Sequence, residues 1–253
     1  ILAAMSLLEW VSYHSARSLI GLAPGIVDGI ARRGIARSRI ALVPNGCDLD
    51  IFAGDAIPWR PDGVEQGNLM AVFAGAHGVA NGLDAVLDAA GTLLRNGNTG
   101  IRIVLVGDGK LKSQLQARAA TEHLTNVVFL DPVSKRTLAG LFAATDVGLQ
   151  ILDNIPAFYY GTSPNKFFDY IAAGLPVLIN YPGGLADTLR EYECGFAVPA
   201  SDPTAFAEAL VRAYDDRDGL RAMGARARTL AEGPFSRTRL ADRFVDVLEA
   251  AVT

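Results

Sequence analysis

The chain contains, at residues 69–109, the stretch LMAVFAGAHGVANGLDAVLDAAGTLLRNGNTGIRIVLVGDG. Two largely apolar runs, at 69–74 and 101–106, each end in glycine, and the segment between them carries apolar residues at helical spacing over 83–94. Such continuous apolar runs are typical of strands that are buried on both faces of a parallel sheet. The stretch therefore predicts a strand, a crossover helix and a second strand parallel to the first.

The same alternation continues toward the C-terminus. Further strands are predicted at 127–130, 147–151, 177–179 and 195–198, and helices at 111–120, 134–144, 164–173 and 185–192. Three helical patterns then follow one another at 202–214, 219–231 and 236–252 without a strand between them. The chain is therefore predicted to be an α/β protein with a Rossmann-like, doubly wound parallel sheet of about six strands and with helices at its C-terminus.

The segment before residue 68 does not fit this sheet. It predicts a helix over 1–20, a second helix that starts at Pro24, and a strand at 40–43 that ends in the turn Pro44-Asn45-Gly46. We expect a partial domain at 1–52, a glycine- and proline-rich linker at 53–67, the Rossmann-like domain at 68–235 and a C-terminal helix at 236–253. Because the chain starts with Ile and shows no signal-peptide features, we expect it to be cut from a longer protein.

The composition excludes several classes of function. A net charge of −4 gives no electrostatic support for nucleic-acid binding. No apolar run reaches the roughly 18 residues that a membrane-spanning helix needs. The two cysteines and three histidines form no ligand cluster, which argues against a structural zinc and favours a reducing cytoplasm. We therefore expect no metal, no cofactor and no nucleic-acid partner.

Three loops lie where the predicted sheet would bind a ligand, beyond the carboxyl ends of its strands. The first is 75–82 (GAHGVANG) and the second is 106–109 (VGDG). Their glycines allow a close approach of the backbone to an anion, and the following helix N-termini offer free N–H groups. For both loops an ordinary turn is an equally good interpretation, and Asp108 can instead cap the next helix.

The third loop, 162–174, carries charged residues. Ser163 is predicted to be the N-cap of a helix and Pro164 its first residue. Lys166 then stands in the first turn, with Asp169 one turn later on the same side. A cation there opposes the helix dipole at a cost of roughly 0.3–1 kcal/mol, which favours a bound phosphate beside it. The alternative is a solvated Lys166 in an ion pair with Asp169.

Residues 163–177, SPNKFFDYIAAGLPV, resemble the donor-site helix of family 4 glycosyltransferases. They are most similar to the surface-polysaccharide branch, which has PSKLFEYMAAGxPV. Six further motifs are similar to family motifs in the same order, and they lie at 43–48 (VPNGCD), 73–84 (FAG and GLD), 104–109 (VLVGDG), 126–130 (NVVFL), 143–147 (AATDV) and 200–203 (ASDP). The resemblance covers the chain from about residue 10 to its end.

The resemblance implies a two-domain enzyme of the GT-B fold whose C-terminal domain binds a nucleotide-diphosphate sugar, usually a UDP-sugar. The sugar would pass, with retention of configuration and without a metal, to a glycan or polyprenyl-linked acceptor in polysaccharide biosynthesis. The setting would be cytoplasmic, with peripheral contact to the inner membrane left open. Residues 1–52 would be the end of the acceptor-side domain, so the chain alone is expected to be inactive.

The resemblance also implies roles for individual residues. Asp169 would hold the ribose hydroxyls, the backbone at Asp131-Pro132-Val133 would border the base, and Lys166 with the N–H of Asn165 would hold the diphosphate. The predicted catalytic residues are Lys166 and Asp169. The predicted donor site comprises Gly75, Gly78, Gly107, Asp108, Gly109, Pro132, Val133, Ser163, Asn165, Lys166 and Asp169.

Three positions depart from the family pattern. Gly161 stands where many members have a glutamate that contacts the donor sugar, and Ala76 and Asn81 stand where they have Arg and Lys. These departures favour one alternative, a non-catalytic sugar-nucleotide-binding domain. A GT-B nucleotide-sugar epimerase is a second alternative, although the sequence shows no convincing set of acid/base carboxylates and histidines for it. Asp48-Leu49-Asp50 resembles a metal-binding DxD, but it falls in the predicted connection between domains and is not expected to bind metal.

Overall fold

A computed structural model describes residues 2–52, 54 and 56–252 of the chain. Its helices are α1 (Leu2–Ser15), α2 (Pro24–Arg32), α3 (Asp84–Arg95), α4 (Lys112–Thr121), α5 (Lys135–Ala143), α6 (Pro156–Gly161), α7 (Asn165–Ala172), α8 (Gly184–Glu191), α9 (Pro203–Asp215), α10 (Arg217–Glu232) and α11 (Arg237–Val252). Its strands are β1 (Leu19–Gly21), β2 (Ile40–Leu42), β3 (Leu69–Ala74), β4 (Ile101–Val106), β5 (Val127–Leu130), β6 (Val147–Gln150), β7 (Val177–Ile179) and β8 (Gly195–Ala197). Two positions of the predicted linker, 53 and 55, lie outside the described residues, as do both terminal residues.

The main sheet has six parallel strands in the order β5-β4-β3-β6-β7-β8. The chain first runs outward from β3 to β5 and then returns to the other side of β3, which confirms the predicted doubly wound fold. Alternate residues of β3 enter different apolar cores. Leu69 and Phe73 join the core beneath α3 and α9, whereas Met70 and Val72 join the core beneath α5 and α7. This double coverage is why the strand sequence is apolar without alternation.

The two halves of the sheet separate at the strand ends. β3 and β6 are paired only at Ala71↔Val147 and Val72↔Gly148. Above this pairing, the backbone N–H of Ala74 donates to the Tyr170 hydroxyl at 2.9 Å, and that hydroxyl donates to the carbonyl of Leu149 at 3.3 Å. Tyr170 is fully buried, so this side chain of α7 fills the split between the strands and fixes α7 at the crevice.

A small second sheet pairs β1 with β2 in parallel. The predicted helix over 1–20 is therefore too long, because α1 ends at Ser15 and Leu19–Gly21 forms a strand. Short apolar runs do not distinguish helix from strand by periodicity, and here the pairing with Ile40–Leu42 decides. The division of the chain into domains stays a prediction.

The C-terminal segment returns to the turn after β2. The three successive helices α9, α10 and α11 confirm the sequence pattern. Between α10 and α11 the backbone N–H of Cys47 donates to the carbonyl of Phe235 at 2.8 Å, and Cys47 forms an isolated bridge with Ser236. These contacts place Asp48 beside the start of α11. None of the helices within residues 2–52 and 56–252 is long and apolar enough to cross a bilayer.

Candidate functional site

The loops after β3 and β4 pack against each other through their backbones. The N–H of Gly75 donates to the carbonyl of Val106 at 2.9 Å, and the N–H of His77 donates to the carbonyl of Asp108 at 2.8 Å. Gly107 has φ +143, and a Cβ at this position would collide with the carbonyl oxygen of Gly75. Part of the glycine requirement in these loops is therefore loop-to-loop packing.

A cavity of about 350 Å³ opens at the carboxyl ends of β3, β4 and β5. Its lining residues are Ala74, Gly75, Ala76, Val106, Gly107, Asp108, Pro132, Val133 and Leu138. Five predicted donor-site residues thus share one cavity. The other six lie outside its lining, and they are Gly78, Gly109, Ser163, Asn165, Lys166 and Asp169. Gly109 packs on the backbone of His77, where a Cβ would approach the carbonyl oxygen to 2.7 Å. Gly78 precedes the short 3₁₀-helix 79–81, and a Cβ there would meet open space.

A second cavity, of about 300 Å³, lies beside α3 and α9. Four aspartates are among its lining residues, Asp84, Asp88, Asp153 and Asp202. Carboxylates repel an anion, so the first cavity, with Asp108 as its one lining aspartate, suits an anionic ligand better than the second.

Lys166 is held by a neutral partner. Its ammonium donates to Asn81 Oδ1 at 2.6 Å and lies 4.5 Å from the centre of the Phe73 ring. The amide of Asn81 in turn donates to the carbonyl of Ala76 at 2.7 Å, which fixes Asn81 to the loop after β3. Burial lowers the pKa of Lys166 to about 8 because the charged ammonium is desolvated without a carboxylate beside it. Lys166 therefore presents a costly, poorly compensated charge next to Gly75.

The start of α7 differs from the prediction by one residue. The helix begins at Asn165 after Pro164 as N-cap, and no side chain caps it. Ser163 is not the N-cap, because its hydroxyl accepts from the backbone N–H of Asn45 at 3.1 Å while Asn45 Nδ2 donates to the Ser163 carbonyl at 2.6 Å. Without a cap, the first-turn N–H groups at Asn165 and Lys166 are available to a ligand.

Asp169 pairs with Lys135, the first residue of α5, at 3.1 Å. The alternative in which Lys166 is neutralised by Asp169 is therefore wrong for this structure. Burial raises the pKa of Asp169, and the nearby Lys135 partly offsets that rise. Lys135 also reaches Asp48 Oδ2 at 3.3 Å, and Asp48 forms a second ion pair with Arg237. The first aspartate of the DxD-like motif is thus occupied by two cations.

Lys112 connects the loop after β4 to the loop after β5, beside the 350 Å³ cavity. Its ammonium donates to the Gly107 carbonyl at 2.8 Å, to the Leu130 carbonyl at 3.2 Å and to Asp131 Oδ1 at 2.6 Å. The carboxylate of Asp108 accepts from the N–H of Gly109 and does not cap α4, whose N-cap has no side-chain hydrogen bond. The start of the loop after β5 is therefore positioned by Lys112, which the sequence did not single out.

The departures from the family pattern have different structural consequences. Ala76 lines the cavity, and a Cβ at Gly161 would meet no atom within 4 Å. Asn81 is a polar partner of Lys166, although the sequence suggested only a lost cation. Sequence reasoning also missed Lys135. Its charge opposes the helix dipole in the first turn of α5, which is the same signal that drew attention to Lys166. Among the residues that the structure describes, no three His, Cys, Asp or Glu side chains are grouped to hold a metal ion.

Comparison with known proteins matches the same part of the chain. A family model described as glycosyl transferases, group 1, matches residues 69–216. The D-inositol 3-phosphate glycosyltransferase of Nocardia farcinica is 31% identical over 229 residues, which cover 87% of this chain and 49% of that protein. The protein of the same name from Streptomyces avermitilis is 31% identical over 234 residues, covering 85% of this chain and 48% of the relative. The chain thus spans about half the length of the curated relatives it matches.

Solved structures share the fold. Anabaena HepE, in a complex with UDP-glucose, superposes with a TM-score of 0.75 at 15% identity, over 93% of this chain and 64% of that one. WaaG, a glycosyltransferase involved in lipopolysaccharide biosynthesis, superposes with a TM-score of 0.71 at 19% identity, over 91% of this chain and 62% of that one. At these identities the similarity concerns the arrangement of strands and helices, and it agrees with the Rossmann-like prediction.

Proposed function

The chain belongs to the family of glycosyl transferases, group 1, and from that premise we propose that it forms the donor-binding part of a sugar transferase. The proposed donor is a nucleotide-diphosphate sugar, with UDP as the nucleotide. The acceptor is a glycan or a polyprenyl-linked sugar at the cytoplasmic face of the inner membrane, and transfer retains the anomeric configuration. The relatives are named glycosyltransferases and the HepE structure holds UDP-glucose, which supports this donor class. Membership of the surface-polysaccharide branch stays a prediction.

The observation that carries the proposal is the state of Lys166. A half-buried ammonium with an amide as its hydrogen-bonding partner is unfavourable in the free protein. It lies in the first turn of the uncapped helix α7 and beside Gly75, which lines the cavity at the strand ends, although Lys166 itself is outside that lining. A diphosphate at this point would supply the missing negative charge and accept from the first-turn N–H groups.

The proposed chemistry follows from that placement. The base lies against Pro132 and Val133 and the ribose near Asp169, so the diphosphate reaches Lys166 and the N–H of Asn165. During transfer the bond between the anomeric carbon and the phosphate oxygen breaks, and the acceptor oxygen bonds to that carbon while its proton passes to the departing diphosphate. Negative charge grows on the leaving oxygens, so a fixed ammonium stabilises the transition state more than the bound donor.

Titration calorimetry and backbone resonances test the proposal. UDP is expected to bind the chain and to shift resonances at Gly75, Gly107 and Lys166. ADP and UMP serve as matched ligands, because one changes the base and the other removes a phosphate. No UDP binding, or shifts confined to β8 at the far edge of the sheet, would contradict the proposed site.

A further inference from the structure

We infer that Lys135 and Asp169 together bind the ribose of the nucleotide, with Lys135 donating to one hydroxyl and Asp169 accepting from the other. The inference rests on the proposed function and adds a specificity-determining residue to it. Nothing in the family motifs points to Lys135.

The first step is the position of Lys135. It lies two residues after Val133 and one turn before Leu138, and both of these side chains line the 350 Å³ cavity. Its side chain is 43% exposed, while that of Asp169 is 19% exposed. Lys135 itself lines a neighbouring cavity of about 880 Å³ and not the 350 Å³ cavity. Its ammonium is therefore accessible beside α7, and the inference places the ribose next to Asp169, between the base at Val133 and the diphosphate at Lys166.

The second step is hydrogen-bonding capacity. An ammonium has three N–H donors, and that of Lys135 donates to Asp48 Oδ2 at 3.3 Å and lies 3.1 Å from Asp169 Oδ1 in an ion pair. One donor is left for a ligand. Among the described residues, Lys135 is the only cation in an ion pair with Asp169, and this pair engages Oδ1, so Oδ2 can accept from a hydroxyl. The pair thus offers a donor beside an acceptor, which matches a vicinal diol.

The third step is the length of Asp169. The resemblance places it at the position of a glutamate that holds both ribose hydroxyls, and aspartate is one methylene shorter. A single short carboxylate reaches less of the diol. Lys135 lies in contact with this carboxylate and can cover the hydroxyl that it does not reach.

A purely structural role for Lys135 predicts a different result. In that case Lys135 of α5 matters because it pairs with Asp48, which also pairs with Arg237 of α11 and so links the two helices. The Asp48→Asn variant removes this charge pair without touching the contact between Lys135 and Asp169. The variant therefore distinguishes an ion pair that only links helices from a side chain that binds the ribose.

Calorimetry with the full chain compares UDP, 2′-deoxy-UDP and 3′-deoxy-UDP. The unmodified chain is expected to bind UDP about tenfold more tightly than at least one deoxy analogue, the effect of one hydrogen bond to a charged group. Lys135→Met is expected to bind UDP about tenfold more weakly and to lose discrimination against one of the two deoxy analogues, the one that lacks the hydroxyl contacted by Lys135. Arg136→Met, which removes an exposed cation from the same turn, and Asp48→Asn should both discriminate as the unmodified chain does.

The outcomes separate the inference from the proposed function. The inference would be overturned if Lys135→Met discriminated between UDP and the deoxy analogues as the unmodified chain does, or if Asp48→Asn lost the same discrimination. In both cases UDP binding by the unmodified chain would still support the proposed function. No UDP binding by the unmodified chain would overturn both. Thermal melts check folding, and Lys135→Gln, which keeps a polar side chain without the charge, repeats the comparison if Lys135→Met does not fold.

Discussion

Replacing Lys166 with Met should stabilise the free protein and weaken its binding of UDP. Burial lowers the pKa of Lys166 to about 8, and the difference from its ordinary value corresponds to about 3 kcal/mol against the charged form at pH 7. Met keeps a long apolar side chain and removes the charge. Loss of the hydrogen bond to Asn81 costs about 1 kcal/mol of this gain in stability. The net gain of about 2 kcal/mol should raise the Tm by roughly 4–8 °C.

The pH dependence of this gain has a defined sign. The folded pKa of Lys166 lies below the unfolded value, so the unfolded chain binds more protons between pH about 8 and 10.5. The free energy of unfolding of the unmodified chain should therefore gain a contribution that grows across this window. Lys166→Met should lack that contribution, and its advantage should shrink from pH 7 to pH 10. Lys110→Met, which removes an exposed lysine from the neighbouring loop, is the matched control.

Binding should change in the opposite direction. A charge-assisted hydrogen bond to phosphate contributes about 1.5–3 kcal/mol, so Lys166→Met should weaken UDP binding about 10- to 100-fold in calorimetry at pH 7. The unmodified chain should also lose UDP affinity above pH 8 as the ammonium deprotonates. A variant that melts several degrees lower and binds UDP normally would refute this reasoning, because Lys166 would then be a structural residue.

The buried side chains of Tyr170 and His77 supply two further predictions, and the expected absence of a metal supplies a third. Tyr170→Phe should cost about 1–3 kcal/mol of unfolding free energy by denaturant titration, because the N–H of Ala74 and the carbonyl of Leu149 lose their shared partner. His77 is fully buried with both ring nitrogens unpartnered, and burial, then Lys112, lowers its pKa. Stability should therefore fall as the pH drops below about 6.5, the unfolded value, and His77→Leu should remove that slope in thermal melts. EDTA should leave UDP affinity unchanged, and a loss that Mg²⁺ restores would show a metal role.

The sheet was predictable because its signal is local. Strands such as β3 and β4 are buried on both faces, so nearly every residue must be apolar and the run is visible in the sequence. β1 was not predictable in this way. Leu19–Gly21 follows a helix whose apolar residues blend into the strand, and the strand exists because Ile40–Leu42 pairs with it. That pairing joins residues about twenty positions apart, which periodicity does not record.

The site was predictable only in part for a related reason. The motif around Lys166 is contiguous, so the resemblance identified it together with Asp169. Their actual partners come from elsewhere, since Asn81 is 85 residues before Lys166 and Lys135 lies on a different helix. Ser163 shows the same effect. Its sequence context is right for an N-cap, but its hydroxyl accepts from the backbone N–H of Asn45, 118 residues away. The helix therefore starts one residue later.

The two lysines at helix starts differ in how their charge is compensated, and the proposed site uses this difference to give them different ligand groups. Lys135 faces two carboxylates, so a ligand there must be neutral and exchange hydrogen bonds, as a sugar hydroxyl does. Lys166 faces an amide oxygen and an aromatic ring, so the ligand that gains most from it carries negative charge. Both charges oppose their helix dipoles. A nucleotide diphosphate has a neutral diol and an anionic end, so one molecule satisfies both lysines, whereas inorganic phosphate or uridine alone satisfies one.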